Sequence, residues 1–153
     1  MSRKKKKKVE RVFSSEEEWR KYKGQQLRTN HLARLKKIAK GQYKARMDEV
    51  PMPKVFAEWL KDKGPFVDEY TGEPILKRSS MEVDHNIPTS REGSFSLSNL
   101  VITSKRNNRA KGDLTGEEYC ALLRTIALWP TKASESVITR LIRASCTFVR
   151  RWK

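Results

Sequence analysis

Apolar positions recur at helical spacing near both ends of the chain and at strand spacing only in its middle. Ser14-Ser15-Glu16-Glu17-Glu18 reads as a helix start, with Ser15 and Glu18 at capping-box spacing and acids in the first turn. That helix carries Trp19 and Tyr22 and is expected to end near Gly24. Thr29 or Asn30 then caps a second helix through about Lys40. Leu32, Leu35, Ile38 and Ala39 form its apolar stripe, and Arg34, Lys36, Lys37 and Lys40 its outer face. Pro53 suits the first turn of a third helix, to about Asp62, that buries Val55, Phe56, Trp59 and Leu60.

Beyond Gly64-Pro65 the pattern changes. Phe66-Val67, a turn at Tyr70-Thr71-Gly72 and the strand-like Ile75-Leu76 lead to Met81–His85, read as the second strand of an antiparallel hairpin. A Ser/Gly-rich loop separates it from the compact apolar run Leu97–Ile102, which contains Asn99. Ser104 to about Lys111 reads as a helix crossing the hairpin, with Thr103 or Ser104 as N-cap. Thr115 and Glu118 repeat the capping-box spacing and start a helix with Tyr119, Leu122, Leu123 and Ile126 that stops before Pro130. A final helix from about Ser134 carries Val137, Leu141, Ile142 and Phe148, with Arg140, Arg143, Arg150 and Arg151 outside. The apolar stripes of these last two helices are expected to cover the back of the hairpin. The pattern as a whole is α+β, with a small antiparallel hairpin flanked by N- and C-terminal helices.

Charge narrows the class of partner. Lys and Arg number 34 against 18 Asp and Glu, a net charge of +16 with a pI near 10.1. Such an excess is the electrostatic footprint of a polyanion partner, with nucleic acid leading, although an RNA-coating protein would share it. Five consecutive lysines at 4–8 sit in a basic arm, residues 1–13, expected to be disordered and to seek phosphate. No apolar segment follows that would make a secretory signal, and no run is long enough to span a membrane. Cys120 and Cys146 make no disulfide framework, so a reducing, cytoplasmic setting is expected.

The candidate chemistry lies in residues 82–112, EVDHNIPTSREGSFSLSNLVITSKRNNRAKG. Asp84 is a hard oxygen ligand suited to Mg²⁺, and His85 is suited to proton transfer near neutrality. If the chain folds back through the loop, Asn107, Asn108, Arg109 and Lys111 approach that pair. A DH pair, a proline-containing loop, NL about a dozen residues on and then N-x-x-K resembles the HNH nuclease family, whose core is a ββα-metal unit. The resemblance covers roughly residues 64–115, leaving 14–63 as a helical basic N-terminal region and 116–153 as C-terminal helices.

The resemblance implies a role for each matched position. Asp84 and Asn108 would hold a divalent ion, Mg²⁺ with Mn²⁺ or another ion as substitute. His85 would be the general base that activates water, and Asn99 would hold the loop and the base in place. Lys111 matches the basic residue one turn after Asn108. Lys105, Arg106, Arg109 and Lys111, with Arg34 and Lys37 from the N-terminal helices, are candidates for nucleic-acid contact. Many members of the family staple this unit with a Cys₄ zinc site, but the four corresponding positions here are Asp68, Thr71, Ser104 and Asn107. Structural zinc is therefore not expected, and hydrogen bonds from Asp68 and its small polar neighbours are expected in its place. The nuclease pictured is a zinc-free, phage-type stand-alone protein that acts on double-stranded DNA in the host cytoplasm. It would work as a monomer that nicks, as a homodimer, or as an accessory phage protein. The competing reading is a basic nucleic-acid-binding protein whose HNH motif is degenerate. His31, the other histidine, has no neighbours at ligand spacing and is read as non-catalytic.

Overall fold

The structure is a computed structural model that describes residues 11–39 and 41–128. The expected final helix from about Ser134, Cys146 and the lysine run at 4–8 lie outside the described residues. The long helix α1 spans Glu16–Ile38, the short α2 Tyr43–Arg46, and α3 Pro53–Asp62. Strands β1, Met81–His85, and β2, Leu100–Ser104, lead into α4, Lys105–Lys111, and α5, Gly116–Ala127. The class is α+β, and β1, β2 and α4 follow one another in ββα order.

Two expected helices are one. Ser15 caps α1 through Glu18 N, while the Glu18 carboxylate turns back to Ser14 N and Oγ at 2.8 and 2.7 Å. The helix then runs through Gly24 without a break. Gly24 is there for approach rather than termination. A Cβ at this position would lie 2.4 Å from the Pro53 carbonyl oxygen, so the missing side chain lets the start of α3 rest on α1. Thr29, read as a cap, instead donates its hydroxyl to Gln25 O at 2.9 Å inside the helix.

α3 buries Phe56 and Leu60, as its periodicity predicts, and also Ala57, but Val55 is exposed and Trp59 only half-buried. Together with Trp19, Leu27 and Leu35 of α1 these residues form the core against Met81, Leu100 and Ile102 of the hairpin.

The partner of β1 also differs from expectation. Met81–His85 pairs antiparallel with Leu100–Ser104, in register from Met81↔Ser104 to His85↔Leu100. Residues 66–75 instead form their own small turn, with one bridge between Val67 and Pro74. That turn docks on β2 through Glu69, whose N–H donates to Ile102 O at 2.9 Å and whose carboxylate accepts from Ile102 N at 2.8 Å. The apolar run Leu97–Ile102 is a better strand partner because alternate residues reach the core: Leu100 and Ile102 are buried.

α5 starts at the predicted capping box of Thr115 and Glu118. Tyr119 is buried, but Leu122 is exposed, so among the described residues the helix covers the unit only with its first turns.

Gly24 gives a direct test of the helix–helix contact. Gly24→Val places side-chain atoms against the backbone of α3 and is expected to destabilise the protein by roughly 2–3 kcal/mol. Urea unfolding of wild type and variant checks this, and an unchanged midpoint would contradict the close approach.

Candidate active site

Asp68 holds the site's frame. Its side chain is buried, at 1% exposure, in the turn before β1. Oδ2 accepts from Ser104 N at 2.7 Å, Asn107 Nδ2 at 2.8 Å and Thr103 Oγ1 at 3.1 Å, and Oδ1 accepts from Tyr70 N at 3.1 Å. Burial pushes its pKa up, but the hydrogen bonds from Ser104, Asn107 and Tyr70 outweigh that and hold it below the usual carboxylate range. One carboxylate thus ties the 66–75 turn to the junction of β2 and α4. Ser104 is the N-cap of α4, its hydroxyl accepting from Asn107 N at 3.2 Å.

α4 presents Asn108 and Lys111 to one face of β1. Lys111 is 2% exposed; its Nζ lies 3.0 Å from Asp84 Oδ2 and donates to His85 O at 3.0 Å. Asp84 Oδ2 also accepts from the Tyr70 hydroxyl at 3.0 Å. Asn108 Nδ2 donates to Glu82 Oε2 at 2.6 Å. Glu82 escaped the motif reading, yet period-two alternation puts it on the same strand face as Asp84.

The same alternation separates Asp84 from His85. The His85 ring turns to the opposite face, into the core, at 2% exposure. It lies 5.1 Å, centroid to centroid, from both His31 and Phe95. His31 in turn packs on Phe56 at 5.4 Å and on Phe95 at 5.8 Å. His85 Nε2 and His31 Nδ1 are buried without a hydrogen-bond partner. Burial, then the neighbouring His31, Arg34 and Lys111, push the His85 pKa down to about 3. Burial and Arg34 push that of His31 down to about 4.

Asn99 fastens the loop between the strands. Its side chain accepts from Ile87 N at 2.8 Å and donates to Ile87 O and Ser94 O, both at 2.9 Å. Gly93 permits the tight return, since a Cβ there would lie 1.8 Å from Ile87 O.

Residues 68–116 match the family model described as HNH endonuclease. This segment is an HNH endonuclease unit. No curated protein matches the chain. An endonuclease unit implies a nucleic-acid substrate.

Set against this geometry, the predicted residues divide into two groups. The HNH unit brings Asp84, Asn108 and Lys111 together on one face, with Asn99 at the loop, while the His85 ring lies on the other. Lys111, expected at phosphate, is inside the protein and paired with Asp84. Lys105, Arg106 and Arg109 are exposed on α4, and Arg34 and Lys37 on α1. Arg34 lies near enough to both imidazoles to depress them. His31, read as non-catalytic, lies against the candidate base; no spacing rule signals this, because His31 and His85 are 54 residues apart in sequence.

The donor set fits a hard divalent ion. Glu82, Asp84 and the Asn108 carbonyl supply oxygen only, and no group of three or more His, Cys, Asp or Glu that could hold a metal occurs among the described residues. Mg²⁺ needs no such cage, because it binds through one or two carboxylates and keeps several waters.

Two outcomes follow from the buried groups. Asp68→Ala leaves several buried donors without an acceptor and is expected to cost about 3 kcal/mol or more, whereas Asp62→Ala on the surface should stay within about 0.5 kcal/mol. Thermal unfolding of both variants checks the difference. For His31, a folded pKa near 4 against an unfolded value of about 6.5 means that the unfolded chain binds more protons between these values. Stability is therefore fully present above about pH 6.5 and falls as pH drops towards 4, by on the order of 2–3 kcal/mol. His31→Phe should lose less stability than wild type between pH 7 and pH 4.5 in urea unfolding. The same loss in both would contradict the burial of a neutral imidazole.

Proposed function

We propose that the chain is a divalent-metal-dependent HNH endonuclease that hydrolyses phosphodiester bonds in DNA. One observation carries the reading. At the position the motif assigns to the base, a buried imidazole nitrogen, His85 Nε2, has no partner. An unsatisfied buried ring nitrogen is costly and calls for a role, and accepting a proton from water is one that uses it.

In this reading Asp84, Glu82 and Asn108 hold the ion, which when bound stabilises charge on the scissile phosphate and its leaving oxygen. Lys111 keeps the Asp84 carboxylate turned towards α4 and anchors the end of β1 through His85 O. The Tyr70 hydroxyl shares Oδ2 with Lys111, so Oδ1 is the oxygen assigned to the ion. Asn99 holds the loop that follows His85, so the ring's position does not drift. In the closed structure His85 is neutral but a weak base, because burial holds its pKa down to about 3, and exposure to water would restore its basicity. To accept a proton it must meet water, which requires the rings of His31 and Phe95 that cover it to move aside.

A second reading, a binding protein with a degenerate motif, is favoured by one specific observation: His85 is sealed by those rings while Lys111 and Glu82 occupy Asp84 and Asn108. Supercoiled plasmid and Mg²⁺ separate the two. Wild type should produce nicked or linear DNA, and His85→Ala, somewhat destabilised by the cavity it leaves but assayed below its melting transition, should cleave about 10²–10⁴-fold more slowly. Equal cleavage by His85→Ala would remove it as the base, and intact plasmid with wild type would favour the binding protein.

A further inference from the structure

Between α1 and the start of the hairpin lies an open groove of roughly 930 Å³. Its walls come largely from outside the matched HNH segment. Arg11 and Lys23 stand on the α1 side, and Arg78 and Lys105 on the hairpin side. Arg78 is partly neutralised by its ion pair with Glu16 and lies over Trp19 at 4.9 Å. Lys105 is exposed, and its helix carries Asn108. At the same end the groove is lined by Glu82, the residue that Asn108 contacts.

The floor on the α1 side has a regular chemistry. Tyr22, Gln26 and Asn30 line it at i, i+4 spacing and so form one stripe along the helix. The next position in that stripe is Arg34, exposed and three residues beyond His31, whose ring lies 5.1 Å from that of His85. From Tyr22 to Arg34 the stripe rises about 18 Å, or roughly five phosphate steps along one strand of DNA. Cations, side-chain amides and an aromatic ring along a track are the chemistry that grips a polynucleotide backbone and stacks on its bases. Arg11 already sits over the Tyr22 ring at 4.8 Å, joining a cation to that platform. The chain continues from Arg11 into the five-lysine run at 4–8.

We propose that this groove binds one strand of the DNA substrate and leads it along α1 to the HNH site. The proposal rests on the nuclease reading for the strand's destination, but the binding itself does not require cleavage. Its footprint lies on α1, a helix that the family match does not include.

The test is binding without metal, so that failure of catalysis and failure of the groove remain distinct. Fluorescence anisotropy with labelled single-stranded and duplex DNA, in EDTA, compares wild type with Gln26→Glu/Asn30→Asp. These near-isosteric changes add two negative charges to the groove. The control is Lys54→Gln/Lys61→Gln, in the cleft between α1 and α3, which changes net charge by the same amount elsewhere. The groove variant is expected to bind at least about 10-fold more weakly with a shallower salt dependence, and the control to change less than about 3-fold. Asn30→Lys should tighten binding. Equal weakening of groove variant and control would reduce the effect to net charge and overturn the proposal, as would unchanged binding by the groove variant or no binding by wild type. A groove variant with a normal melting curve and normal binding would overturn it whatever the plasmid assay shows.

Discussion

The carboxylate of Asp68 is the constraint on which the HNH unit depends. A short turn, a two-stranded ribbon and a seven-residue helix have little apolar surface to bury against one another. Asp68 compensates by gathering donors from the turn, the end of β2 and the first turn of α4 onto one buried side chain. Glu69 adds a second tie to β2, and Tyr119 of α5 closes the arrangement by donating to Asn107 Oδ1 at 3.2 Å. In a low-dielectric surrounding, such charge-assisted bonds are individually strong and jointly rigid. They fix where α4 begins, and so where Asn108 and Lys111 point.

The second organising feature is the alternation of β1. Glu82 and Asp84 face α4, where amide and ammonium meet them, while Met81 and His85 face the core. α1 and α3 are thus more than an appendage to the HNH unit. His31 of α1 and Phe95 of the loop pack on the His85 ring, and Phe56 of α3 packs in turn on His31. This packing keeps the imidazole neutral and leaves its nitrogen unpaired. It also couples the candidate base to the helix that walls the basic groove, so substrate binding and access to His85 share one element.

Much of this was legible from local chemistry. Capping residues located the starts of α1, α4 and α5, and Pro53 that of α3, because a cap is a short-range interaction between residues three or four apart. The motif spacing identified the HNH unit, and the lack of cysteine at its four zinc positions pointed to Asp68 and its polar neighbours as the substitute. Long-range facts were not legible. Gly24 reads as a helix stop until Pro53 is seen to rest on it. The pairing of β1 with β2, rather than with residues 75–76, depends on which strand the core accepts. Lys111 reads as a surface cation because nothing local says that Asp84 will draw it inside. His31 is silent for the same reason, since its meaning comes from His85, 54 residues away.

If hydrogen bonds to Asp68 hold the unit while Glu82, Asp84 and Asn108 serve a working ion, fold and activity must part company under chelation. The most direct measurement is thermal unfolding and plasmid cleavage of one sample before and after EDTA treatment, then after added Mg²⁺. The account predicts an unchanged melting transition, with cleavage lost in EDTA and restored by Mg²⁺. A transition that collapses in EDTA, or cleavage that survives it, would contradict the account.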